Sequence, residues 1–296
     1  MNEVITKAVI PIAGLATRFL PLSKALSKEL LPVSTKPMLQ YVLEELKAAG
    51  VTTVCFVVGQ SNKKPVSDFL RRAPQLEKIL EEKKYEGPLA EFKALEKLLE
   101  GMSFSFVLAP KPLGDGHAIL QARKMVGDEA CFVAFPDDII QSKYPCALQL
   151  EQMFKTSQKP VVALSRIPKD RISAYGVVGA EKIATRFWKI QKIVEKPEAQ
   201  SAPSDLAMVG RSVITPEVFD YLKKAKPNKR GEVVLHEVLG EMTKEGMMIY
   251  GYEFEGTWWE CGDRAKWLRS HLAFALSHPE LGAQLQRFLK EEKFIS

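Results

Sequence analysis

The sequence predicts an α/β fold with a mixed, mainly parallel sheet flanked by helices, and three observations carry that expectation. Short apolar runs rich in β-branched and aromatic residues recur up to Phe135, separated by stretches of helical pattern. The first of these runs ends at a glycine and opens into a loop crowded with cations. After Lys159 the runs are joined by short turns, and no Gly-, Ser- or Pro-rich linker intervenes, so one sheet is expected to continue rather than a second domain to begin.

Taken in order, Ala8 to Ala13 is short and β-branched enough for a buried strand, and Gly14 ends it. From there to Pro37 the chain carries Arg18, Lys24 and Lys28 on a stretch too rich in Pro and Ser to be one regular helix. Open α/β sheets bind ligands just beyond the carboxyl ends of their strands. Backbone N–H groups at Gly14 and Leu15, the planar fork of Arg18 and the point charge of Lys28 are therefore candidates for holding a phosphorylated ligand, although a solvated loop explains the same charges. Pro37 opens a helix whose Met38, Tyr41, Val42 and Leu46 recur at helical spacing, and Gly50 closes it. Thr52 to Val58 is a second strand, which makes a right-handed parallel crossover the default. Asn62 to Glu100 is charged and broken at Pro74 and Gly87-Pro88, a pattern of two or three surface helices. Ser103 to Leu108 is a third strand, His117 to Val126 a helix, and Ala130 to Phe135 a fourth strand that runs into Pro136-Asp137-Asp138. Beyond it, Val161 to Ile167, Gly176 to Ala180, Phe187 to Glu195, Ala207 to Ile214 and Met247 to Phe254 are strand-like, with helices at Pro216 to Lys224 and Val234 to Lys244. We place a catalytic domain at residues 1–262 and a helical tail at residues 263–296, suited to packing on the core or on another subunit and so to a homo-oligomer.

Composition bounds the function. The 296 residues carry a formal net charge of +6, which suits an anionic partner. Nucleic acid is a poor candidate, because the clearest basic cluster, Lys223 to Arg230, has no interleaved aromatics. Cys55, Cys131, Cys146 and Cys261 form no C-x-x-C pair and read as reduced thiols of a cytoplasmic protein. Met1-Asn2-Glu3-Val4 lacks the basic start of an export signal, and no apolar run approaches the length of a membrane span.

Asp137 follows a fully apolar strand and should stand at the sheet's carboxyl edge beside the Gly14 loop. A carboxylate close to phosphates suits a bridging Mg²⁺, while capping of the next turn accounts for its position equally well. The wording of the loop is more specific than its composition. Ala13-Gly14-Leu15-x-Thr17-Arg18, followed by Lys28-Glu29-Leu30-Leu31-Pro32-Val33 and Lys36-Pro37-Met38, resembles the signature of the sugar-nucleotide pyrophosphorylase family. The resemblance recurs at Gly114-Asp115-Gly116-His117, Pro136-Asp137, Tyr175-Gly176-Val177, Glu195-Lys196-Pro197 and Gly210-Arg211, and so covers nearly the whole chain.

That resemblance implies a Rossmann-like nucleotidyltransferase fold and Mg²⁺-dependent transfer of a nucleotidyl group from a nucleoside triphosphate to a hexose 1-phosphate, with UTP and glucose 1-phosphate first. Arg18, Lys28 and Lys196 would then be catalytic; Ala13, Gly14, Leu15, Gly116 and Asp137 would hold the nucleotide; Gly176, Glu195 and Lys196 the sugar phosphate; and Asp137 with Glu260 the metal. Where the family completes its metal site with Asp-x-Gly, this chain reads Glu260-Cys261-Gly262, and Glu260 equally suits an ordinary surface residue. Ala109 stands where members place a base-reading Gln, and Ala16 where they place a second Gly. Glu232 to Glu237 departs from the family's Glu-Ile-Gln-Leu-Thr-Asp at two polar positions. Two alternatives stay open: an enzyme of the same kind using another triphosphate, and a sugar-nucleotide-binding protein without catalysis.

Overall fold

The apolar runs of the sequence are the strands of a computed structural model that describes residues 4–294. Met1 to Glu3, where the missing export signal was read, lie outside the described residues, as do the last two. In chain order the strands are β1 (Lys7–Ile12), β2 (Pro32–Val33), β3 (Lys36–Pro37), β4 (Thr53–Val58), β5 (Ser103–Leu108), β6 (Cys131–Ala134), β7 (Asp138–Gln141), β8 (Val161–Arg166), β9 (Gly176–Ala184), β10 (Phe187–Glu195), β11 (Leu206–Ile214), β12 (Tyr250–Glu253) and β13 (Thr257–Glu260). Nine of them form one sheet in the order β5-β4-β1-β6-β11-β8-β12-β10-β9.

The expected mixed sheet is present, and its parallel pairs gather in the first half. There β1 pairs in parallel with β4 and β6, and β4 with β5, because each strand is followed by helix that must return across a face before the next begins. In the second half a two-residue connection with Arg186 at φ 60° folds β9 back on β10, and β11 runs antiparallel to both β6 and β8. Only β12 on β8 is parallel there. Side chains alternate across β1 as period two requires: Ala8, Ile10 and Ile12 pack with Leu39, Phe56 and Phe132 on one face, and Val9 with Ile119, Val133 and Phe219 on the other.

Asn62 to Glu100 forms three helices, Lys63–Leu70, Pro74–Glu82 and Glu86–Leu99, as read. The helix read over His117 to Val126 begins earlier, at Asp115, and breaks at Ala122 into Asp115–Gln121 and Arg123–Val126. The cationic loop contains three single 3₁₀ turns, Thr17–Phe19, Leu22–Lys24 and Lys28–Leu30, and closes in the β2–β3 hairpin. Ala16 lies in the left-handed region at φ 49°, which costs a residue with a Cβ about 1–2 kcal/mol and a glycine almost nothing. A pairing absent from the sequence reading is β7 on β13, which sets Asp138 opposite Glu260. The tail helix Arg264–Leu276 packs on the core: Trp267 and Phe274 join a cluster with Phe19, Leu31, Val33 and Met38, and Trp267 Nε1 donates to the Pro32 carbonyl at 2.8 Å.

Candidate active site

Two adjoining cavities open where the carboxyl ends of β1 and β6 meet the second half of the sheet. The larger, about 470 Å³, is lined by Ala13, Gly14, Leu15, Lys28, Lys111 and Gly114. The smaller, about 220 Å³, is lined by Arg18, Gly176, Glu195, Lys196, His236 and Glu260. Asp115, Phe135, Asp137 and Val234 stand on both walls.

Asp137 owes its place to the chain beneath it. Phe135 N donates to Gly210 O at 2.8 Å, and the Phe135 carbonyl accepts from the Arg211 guanidinium at 2.9 Å. Arg211 is buried and forms a two-pronged bond to the buried carboxylate of Glu45, with contacts of 3.1–3.2 Å. Cys261 N then donates to the Asp137 carbonyl at 2.7 Å, which fixes the loop from the other side. On this support Lys28 Nζ meets Asp137 Oδ2 at 2.7 Å. Burial, the largest single effect, pulls the Lys28 pKa down and the Asp137 pKa up, but the partner's charge, the hydrogen bond between them and neighbouring charges together outweigh it, so Lys28 sits above and Asp137 below its usual value. Both groups are charged at neutral pH.

Behind this pair, Asp138 Oδ2 accepts from Gly210 N at 2.9 Å and Oδ1 from Trp258 Nε1 at 2.6 Å. Burial and then the Asp137 charge push its carboxyl up to about 7. Glu260, carried opposite by β13, accepts from the Tyr175 hydroxyl and, at 2.5 Å, from Lys266 Nζ. A Cβ on Gly262 would stand 3.5 Å from Asp137 Oδ2 and 3.6 Å from Glu260 Oε1, so the glycine keeps clear the space between two carboxylates. Among the described residues no three metal-ligating side chains converge. The pair fits a cation that takes one or two protein carboxylates and completes its shell with phosphate oxygens and water, as Mg²⁺ does.

At the other end of the smaller cavity β10 finishes at Glu195, and Lys196 turns the chain at φ 47°, its N–H bonded to the Tyr175 carbonyl at 3.0 Å. Lys196 Nζ lies 3.2 Å from Glu195 Oε1. A Cβ on Gly176 would come within 2.9 Å of Glu195 Oε2, so only glycine leaves that oxygen in place. Asp115 holds the start of the helix Leu235–Lys244 through Oδ1, which accepts from Leu235 N at 2.7 Å. Burial raises the pKa of its carboxyl, against the lowering effect of that bond.

The residues singled out in the sequence line the two cavities, with one exception. Arg18 lies on the wall of the smaller cavity rather than beside the larger one. Gly116 lines neither: its N–H donates to the Val233 carbonyl at 2.9 Å, and a Cβ there would meet Leu222 at 2.9 Å. Its smallness serves helix packing, and Gly114, at φ 98°, takes the place at the cavity wall. Ala109 also stays off both walls, its N–H donating to Val58. Lys111, His236 and Lys266 were missed. Lys111 sits in a loop without pattern, His236 one residue inside a helix, and Lys266 in a tail that looked separate from the site.

Comparison with known proteins agrees with this geometry. A nucleotidyl transferase family model matches residues 7–274. UTP--glucose-1-phosphate uridylyltransferase 1 of Staphylococcus saprophyticus is 35% identical, over 97% of this chain and 98% of its own. The UTP--glucose-1-phosphate uridylyltransferase of Bacillus subtilis is 34% identical, over 97% of this chain and 96% of its own. Among solved structures, the UTP-bound UGPase from Acinetobacter baumannii superposes with a TM-score of 0.87 at 30% identity, covering 97% of this chain and 99% of that one. A UDP-glucose pyrophosphorylase complexed with UDP-glucose gives 0.82 at 31% identity, covering 91% and 98%. With its fold and nearly its full length matched, the chain belongs to the nucleotidyl transferase family, alongside the UTP–glucose-1-phosphate uridylyltransferases.

Proposed function

We propose that this protein transfers the uridylyl group of UTP to glucose 1-phosphate, forming UDP-glucose and pyrophosphate. The observation that carries this reading is the shared wall: Asp137, ion-paired with Lys28, stands between a cavity sized for a nucleotide and one lined by Glu195 and Lys196. The nucleotide lies in the larger cavity, against the backbone of Ala13, Gly14 and Leu15, and the sugar phosphate in the smaller. An oxygen of the sugar phosphate attacks the α-phosphorus in line; the new P–O bond forms as the bond to pyrophosphate breaks. Little proton transfer is needed, so positioning and charge neutralisation supply most of the acceleration.

Lys28 neutralises the phosphates at the reacting centre, Lys196 holds the attacking phosphate, Glu195 accepts from sugar hydroxyls, and Arg18 faces the sugar side. Mg²⁺, when bound, supplies further charge neutralisation on the phosphates; Asp137 and Glu260 would hold it. With Ala109 turned away, uracil is read by the backbone around Gly114 and by Lys111. The protein is cytoplasmic and a homo-oligomer in this reading: its four cysteines are buried free thiols, and Leu268, Leu272 and Phe288 are exposed on the helices after residue 262. No helix of the described residues is long and apolar enough to cross a membrane.

The test is pyrophosphate release by the purified protein with Mg²⁺ and glucose 1-phosphate, with UTP, dTTP, CTP, ATP and GTP supplied separately. Rapid release with UTP is expected. Release with a different triphosphate alone would move the assignment to a sister activity, which the apolar Ala109 and Val234 favour as the second reading.

A further inference from the structure

His236 stands in the smaller cavity at a position the resemblance assigns to Thr, and nothing in the mechanism above uses it. It is the second residue of the helix Leu235–Lys244, whose first N–H is held by Asp115, so its direction is set by a buried bond rather than by a mobile loop. A Cβ on Gly176 would lie 3.1 Å from His236 Nδ1 and 2.9 Å from Glu195 Oε2. Two polar atoms from different elements thus converge on the space that glycine leaves. They stand 4.0 Å apart, too far to bond to each other. A hydroxyl oxygen about 2.8 Å from each bridges them without strain.

Their chemistry is complementary. Glu195 is acceptor-only when ionised, and its Oε1 already faces Lys196. A neutral imidazole offers one N–H and one lone pair. A sugar hydroxyl has one proton to give and lone pairs to receive, so it donates to the carboxylate and accepts from the ring.

We infer that His236 is a hexose-reading residue: with Glu195 it hydrogen-bonds one hydroxyl of the sugar phosphate in the gap left by Gly176. The inference rests on the smaller cavity being the hexose 1-phosphate site. It makes His236 a determinant of which sugar phosphates are accepted, because a site built to bond a hydroxyl penalises the analogue that lacks it.

The experiment measures kcat and KM for glucose 1-phosphate and for its 2-, 3-, 4- and 6-deoxy analogues, with the native protein, His236→Ala and His236→Asn. For native protein one analogue is expected to lose about tenfold in kcat/KM more than the others. His236→Ala raises the KM for glucose 1-phosphate by a similar factor, leaves the KM for UTP unchanged, and lowers the penalty for that same analogue by about the factor the substitution itself costs. His236→Asn, which keeps an N–H donor, recovers part of the loss. An active native protein whose analogue profile and sugar KM are unchanged in His236→Ala overturns the hexose-reading role alone. Native protein that turns over none of the hexose 1-phosphates with any triphosphate overturns both this role and the proposed function.

Discussion

The larger cavity is lined mostly by backbone and small or apolar residues, the smaller mostly by charged and polar side chains. Gly14, Leu15 and Gly114 bring small or apolar side chains to the larger cavity, whereas Arg18, Glu195, Lys196, His236 and Glu260 bring distinct charges and hydrogen-bonding shapes to the smaller one. In the proposed function the contrast follows from what each ligand demands. A base can be read by fixed peptide donors and acceptors, whose identity the side chains barely affect, so Ala109 and Val234 can stand where family members carry Gln. Hydroxyl geometry needs side chains of a particular reach. The two walls meet at Asp137, which lines both cavities.

The largest effect is expected where the two cavities share support. Arg211→Met strips the partner from buried Glu45 and frees the Phe135 carbonyl, so both cavities should be disturbed and the fold should lose about 3–5 kcal/mol in denaturant unfolding. A loss under about 1 kcal/mol would mean that the shared wall does not depend on the Arg211–Glu45 pair. Lys28→Ala acts on the reacting centre alone: kcat should fall by about 10²–10³, with circular dichroism unchanged. Near-native turnover would remove Lys28 from the mechanism. Gly176→Ala sharpens the comparison, because its methyl group meets Glu195 and His236 but not the larger cavity. The KM for glucose 1-phosphate should rise about tenfold while that for UTP holds; equal rises in both would show the cavities to be coupled.

The smallest effect concerns pH. Asp138 is pushed up to about 7 in the fold, against about 3.9 in an unfolded chain. The folded state therefore binds this proton more tightly. The contribution to stability is complete below the unfolded value and is lost as pH rises through about 7. In metal-free buffer the native unfolding midpoint should fall between about pH 4 and about pH 7 and level off above that, and Asp138→Asn should flatten that fall. Identical slopes would place the titration elsewhere.

Within the sequence, the strands of the parallel half, the helix after Pro37 and the cluster Arg18, Lys28, Asp137, Glu195, Lys196 were legible from apolar runs, turn residues and motif wording. The β7–β13 pairing was not, because four-residue strands more than a hundred residues apart leave no local periodicity to read. Nor could spacing show that Gly116 spends its N–H on Val233, since that contact spans more than a hundred residues. The Lys266 contact with Glu260 was hidden for a different reason: a helical tail gives no sign of which side chain turns inward.

What the sequence determined by itself was local: which segments bury a face, where backbone must turn, and which residue types can carry phosphate chemistry. Tertiary structure alone decided which of those residues meet. It placed Arg18 on the wall of the smaller cavity, set Glu260 opposite Asp138, and brought His236 to the gap beside Gly176. The physical reason is that side-chain chemistry and turn preference are encoded residue by residue, whereas distances across a sheet depend on strand order and register, which only the packed chain defines.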